Sequence, residues 1–133
     1  MNFSIGFYDP FKLDMIEFGD VEKDKVMEMF EKIPWADYLA KMETAQESDI
    51  HHSPSFEIEN KDNGTELSID AIDDNEWEIF YERPKLVKKF FGLIEKEESH
   101  FSLAEEQTEN DVRECLQAFI RSELQFLENK FAE

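Results

Sequence analysis

Through the middle of the chain, apolar and polar residues take turns. Phe56 and Ile58 are separated by Glu57 and Glu59, and Leu67, Ile69 and Ala71 repeat the pattern. In NEWEIFYERPK, residues 75–85, Trp77, Ile79 and Tyr81 stand between Glu76, Glu78, Phe80 and Glu82. A period of two is what a strand with one buried and one wet face requires. Asn63-Gly64 is the pair favoured in a two-residue hairpin turn. Such a turn predicts pairing of 60 with 67, 58 with 69 and 56 with 71. A three-residue loop, Asp73-Asp74-Asn75 with Asn75 left-handed, then sets Ala71 against Trp77, Ile69 against Ile79 and Leu67 against Tyr81. The turns and the apolar pattern agree on one antiparallel meander.

On either side the period changes. Phe3, Ile5 and Phe7 alternate as a short strand closed by Asp9-Pro10. With Asp20 as cap, Val26, Met29, Phe30 and Ile33 recur at helical spacing until Pro34, and Trp35, Tyr38, Leu39 and Met42 continue in a second helix. Residues 43–53 carry no period and read as a loop. Thr108 and Asp111 form a capping-box pattern ahead of Val112, Cys115, Leu116, Phe119 and Ile120, one apolar helical face. Ser122 opens or caps a last helix with Leu124, Phe126, Leu127 and Phe131. The run KLVKKFFGLIEK, with Leu86, Val87, Phe90, Phe91 and Ile94, fits a helix or a fourth strand equally, and His100–Leu103 fits another strand.

These elements predict an α+β fold: a single domain, residues 1–133, with an antiparallel β-meander sheet of four to six strands packed on one face by N- and C-terminal helices from 20–45 and 108–131. Phe56, Ile58, Leu67, Ile69, Trp77, Ile79 and Tyr81 are expected to meet Phe30, Trp35, Val112, Leu116 and Phe119 in the core. Thirteen Phe among 133 residues supply ample material for that core and argue against disorder.

Charge changes the picture most. A formal net charge of −19 repels nucleic acid and anionic membranes and attracts basic proteins, polyamines or divalent cations. With one cysteine, no basic leader and no long apolar run, the chain is expected to be cytoplasmic, without a membrane span or a disulfide.

The predicted register gathers the acids. Rows of Glu57–Asp70–Glu78, Glu59–Ser68–Phe80 and Lys61–Glu66–Glu82, with Glu76 at the end, place seven carboxylates beside one aromatic ring. Like charges directly opposite destabilise a sheet. Phe80 then reads as an apolar anchor in an acidic patch, and Glu57, Glu59, Asp70, Glu78, Phe80 and Glu82 as the site for a basic protein partner. In the competing reading, Arg83, Lys85, Lys88, Lys89 and Lys96, with Glu95 their only acid, fold over the carboxylates, and Phe80 is core. The lysines also suit a guarded edge strand.

Other chemistry is weaker. Aligning Gly64 with the sixth position of an EF-hand loop puts Lys61 and Asp70 where ligands of other kinds belong. His51 and His52 are the weak metal candidates, since neighbours in an extended chain diverge and no Cys-rich or H-E-x-x-H set accompanies them. Cys115 lies on an apolar stripe and reads as a buried thiol. The sequence therefore favours a non-enzymatic protein-binding domain that presents an acidic sheet face to a basic partner, as an inhibitor or immunity-type neutraliser does, without a cofactor and as monomer or homodimer. The alternatives are a small metal- or small-molecule-dependent enzyme using the His51-His52 loop, and a homo-oligomeric structural module.

Overall fold

A computed structural model describes residues 2–89 and 94–132. Six strands form one antiparallel sheet: β1 (Asn2–Tyr8), β2 (Ile16–Glu22), β3 (Ser55–Asn60), β4 (Thr65–Asp73), β5 (Glu76–Lys89) and β6 (Ile94–Gln107), ordered β2-β1-β3-β4-β5-β6. Helices α1 (Lys23–Lys32) and α2 (Trp35–Thr44) connect β2 to β3, and α3 (Glu109–Ile120) and α4 (Leu124–Lys130) follow β6. The fold is α+β, with the strand count at the top of the expected range.

Period-two alternation builds the core. Phe3, Ile5, Phe56, Ile58, Leu67, Ile69, Ala71, Trp77, Ile79 and Tyr81 pool with Val26 and Phe30 of α1, with the Val112, Cys115, Leu116 and Phe119 stripe of α3, and with Leu127 and Phe131. Trp35 packs against this cluster from the start of α2, and its indole N–H donates to the Phe30 carbonyl at 3.1 Å. Burial pushes the Cys115 thiol up to about 11, so it stays protonated and acts as a small apolar group.

The cap of α3 is reciprocal. The Asp111 amide donates to Thr108 Oγ1 at 3.1 Å, and the Thr108 amide donates to Asp111 Oδ2 at 2.9 Å. Thr108→Ala is expected to lower stability by about 1 kcal/mol in urea unfolding, while Thr108→Ser stays near wild type. Ahead of α1, by contrast, Asp20 is no cap. It lies within β2, and Glu22 precedes the helix without a side-chain bond.

Two of the expected connections differ in the structure. The β3–β4 loop contains four residues, Lys61–Gly64, and Asn60 pairs with Thr65, Ile58 with Leu67 and Phe56 with Ile69. Asparagine chemistry selects the longer loop: Asn60 Oδ1 accepts the Asp62 amide at 3.0 Å, and Asn63 Oδ1 accepts the Thr65 amide at 3.1 Å and its hydroxyl at 2.6 Å. Only Gly64 need be left-handed, at φ 71°. In the β4–β5 loop Asp73 pairs with Glu76, and the extra residue is absorbed as a bulge after Ala71, so Asn75 is not left-handed. The predicted pairs of Ala71 with Trp77, Ile69 with Ile79 and Leu67 with Tyr81 are all present.

The ambiguous run is strand. β5 continues through Lys89 and pairs with β6 from Ile94 onward, while Phe90 and Phe91 lie outside the described residues. The basic stretch runs along its own hairpin, with Lys85 opposite Glu98 and Lys88 opposite Glu95. Arg83 turns toward α4. Its side chain is only 7% exposed, lies over the Tyr81 ring, and donates from Nε to Glu128 Oε1 at 2.6 Å and from an outer nitrogen to Oε2 at 3.1 Å.

Candidate functional site

The pleat that buries Ile58, Leu67 and Ile79 turns their neighbours to the sheet's second side, and the observed register aligns those neighbours into three rows. Ser4 (β1), Glu59, Glu66, Glu82 and Phe101 (β6) cross the sheet in one row; Gly6, Glu57, Ser68, Phe80 and Leu103 form the next; Tyr8, Ser55, Asp70 and Glu78 form the third. Each predicted row is thus displaced by two residues along β3. Lys61 drops out of the sheet and pairs with Asp20 of β2 at 2.7 Å. Its place opposite Glu66 and Glu82 passes to Glu59, so across β3–β5 that row sets three carboxylates side by side with no base between them.

Electrostatics follow from that substitution. Partial burial, then hydrogen bonds and like charge from Glu59 and Glu82, push the Glu66 carboxyl up to about 7. In the adjacent row Glu57 is half-buried. Its Oε1 accepts the Ser55 hydroxyl at 3.0 Å and the Ser68 hydroxyl at 2.8 Å. Burial raises Glu57 above the usual carboxylate range, the two hydroxyls oppose that rise, and nearby Asp70 adds to it. Asp70 is also raised, first by burial, against the hydroxyls of Ser55 and Ser68 and the charge of His52, and its buried Oδ1 has no hydrogen-bond partner among the described residues. Glu78 is raised by burial and then by Glu105, Asp70 and Glu76.

Phe80 is half-buried. Its ring stacks at 5.3 Å and 31° on that of Phe101, which is 59% exposed. Two hollows meet along these rows. One, of about 290 Å³, is lined by Glu57, Glu66, Ser68, Phe80, Glu82 and Phe101. The other, of about 480 Å³, shares Glu57 and Glu66 and extends across β1 to Tyr8, Met15, Glu17 and Asp20. Gly6 permits its shape, for a Cβ there would stand 2.5 Å from Met15 Sδ. The chemistry available is an elongated, carboxylate-walled trough with an aromatic pair at one end, suited to a cation joined to an apolar group.

Glu57, Glu59, Asp70, Glu78, Phe80 and Glu82 therefore share one side of β3–β5, with Glu59 and Glu82 flanking Glu66, and Asp70 beside Glu78. Sequence reasoning missed Phe101 and Leu103, although the alternation in HFSLA marks them once that stretch is taken as a strand next to β5. It also missed β2, whose polar, mostly exposed IEFGDVE carries little apolar periodicity. His51 is exposed, and His52 is half-buried with Nε2 at 2.7 Å from the Asp9 carbonyl oxygen and its ring edge-on to Tyr8. Among the described residues no group of three or more His, Cys, Asp or Glu side chains is placed to hold a metal ion, and no helix is long and apolar enough to cross a membrane.

The rows and hollows define a small α+β domain with an acidic, aromatic-tipped trough. No protein-family model, curated protein or solved structure matches the chain.

Proposed function

We propose that this chain is a non-enzymatic binding protein whose acidic sheet face receives a basic protein partner, as an inhibitor or neutraliser does. The observation that carries the reading is the Glu59–Glu66–Glu82 row, set directly across three strands beside the Phe80–Phe101 pair. Each like-charge pair in such a row costs about 0.2–1 kcal/mol, a penalty that a cationic side chain laid across it removes. The reading takes the helices to cover only the face of Ile58 and Ile79, leaving the trough open. Lysine or arginine from the partner meets the carboxylates, and an adjoining apolar residue meets Phe80. Electrostatic steering then gives fast association with strong salt dependence.

The test is a fluorescence titration of labelled Lys/Arg-rich peptides, each with one apolar anchor, at low and high salt. The expected result is saturable binding at low salt, weakened by salt, and weakened about tenfold or more by Phe80→Ala with the salt dependence kept. Affinity unmoved by both salt and Phe80→Ala sinks the reading.

A second reading, an enzyme of small-molecule chemistry at the His51-His52 loop, is favoured by one observation: the His52 ring packs edge-on against Tyr8, whose row across β3 and β4 carries Asp70. It requires a ligand whose binding is lost in His52→Gln and kept in Phe80→Ala.

A further inference from the structure

We infer that the free edge of β6, over residues 99–104, accepts an extended segment of the basic partner as a seventh strand. The inference rests on the acidic-face reading above and specifies how the partner attaches.

Strand order leaves β6 at one end of the sheet, with β5 on one side and no strand on the other among the described residues. Such an edge offers unpaired N–H and C=O groups, and proteins usually blunt it with lysine, proline, inward-pointing charge or a bulge. The stretch Ser99-His100-Phe101-Ser102-Leu103-Ala104 has no Lys, Pro, Asp or Glu. Its six residues span about 20 Å, an ordinary strand length. The ladder with β5 is regular here and shifts only beyond Ala104, where Glu106 takes φ 55°. The opposite edge is less suitable, because the pairing of β2 with β1 slips where Gly19 faces Ile5.

Composition around the window specifies the occupant. Glu95, Glu97 and Glu98, with Lys96 among them, precede it, and Glu105 and Glu106 follow it, a flanking balance of five acids to one base. Phe101 and Leu103 are exposed and lie on the acidic side, opposite Glu82 and Phe80 respectively. An added strand with apolar residues at its centre and lysine or arginine at both ends matches this order. Its side chains of one parity continue the Phe80–Phe101–Leu103 surface outward, beyond the aromatic end of the trough. A second copy of the chain matches poorly, since antiparallel self-pairing centred on the window sets Glu98 against Glu105 and Glu97 against Glu106.

The experiment uses the peptide KKVTVTVKK, the same peptide N-methylated at each Val and Thr, and the full chain. N-methylation removes backbone donors and keeps the charge. The expected result is binding of the first peptide, a loss of about tenfold or more with the second, and slowed amide exchange within residues 99–104 on binding. Leu103→Lys, a guard at an exposed position, is expected to weaken the first peptide while leaving the circular dichroism of the chain unchanged.

Equal affinity for both peptides, with Phe80→Ala still weakening them, overturns strand addition and leaves the acidic-face reading standing. Failure of both peptides to bind at low salt overturns both readings. Concentration-dependent protection of 99–104 without peptide assigns the edge to a second copy and overturns the inference.

Discussion

Phe30→Ala is expected to lower the free energy of unfolding by about 3–5 kcal/mol, the largest loss of any single change considered for this fold. Phe30 ties α1 to the core residues of the sheet. Its ring lies 5.4 Å from that of Trp35, 5.6 Å from Phe56 and 6.0 Å from Trp77, and the Arg113 guanidinium sits 5.9 Å from its centroid. Aromatic pairs in such tilted and edge-on arrangements contribute about 0.5–1.5 kcal/mol each beyond the area they bury. Alanine leaves a void that two indoles and a phenyl ring, held by their own strands and helix, cannot close. A domain of this size has only about 5–15 kcal/mol in total, so the variant should unfold at much lower urea with an unchanged slope. Leu124→Ala, at an exposed position of α4, is the matched control and should shift stability by less than about 0.5 kcal/mol. A loss below about 1 kcal/mol at Phe30 shows that α1 does not join the sheet core.

Why the core was readable and the rows were not follows from the period of a strand. The β3–β4 register differs from the two-residue-turn expectation by two residues, and a shift of two returns every side chain to the same side. Phe56, Ile58, Leu67 and Ile69 therefore stay in the core under either register. Cross-strand neighbours do not survive the shift: Glu57 moves from Asp70 to Ser68, and Glu59 moves from Ser68 to Glu66. The deciding interactions were the Asn60 and Asn63 side chains bonding within the loop, a local preference that competes with the Asn-Gly turn signal. Sequence also could not decide where the positive charge goes. Burial of Arg83 against Glu128 depends on a helix more than forty residues away in the chain, and no periodicity within KLVKKFFGLIEK encodes it.

Replacing the row by amides, Glu59→Gln with Glu66→Gln and Glu82→Gln, is expected to move stability and binding in opposite directions. Glu66 carries a folded-state value of about 7 against an ordinary 4.5, so the folded chain holds a proton there that the unfolded chain has released. Stability from this group is present below about pH 4.5 and is lost as pH rises toward 7. Glu57, Asp70 and Glu78 are shifted in the same direction. Asp111, lowered by its Thr108 cap, works the other way, and its contribution fades as acid protonates it. Wild-type stability should therefore peak at mildly acidic pH and decline toward pH 8. The triple amide, freed of two like-charge contacts, should be about 1 kcal/mol more stable than wild type at pH 8, with the difference shrinking toward pH 5. The cationic peptide reads the same carboxylates with opposite sign. Its affinity for wild type should rise with pH through about 7 as Glu66 ionises, accompanied by proton release in calorimetry with buffers of different ionisation enthalpy. In the triple amide the affinity should fall about tenfold or more and lose that pH dependence. Were the amides to destabilise the fold at pH 8, the carboxylates would be structural, held by counter-charges of their own. Were they to stabilise it and leave peptide affinity intact, the row would be a strained surface with no part in recognition.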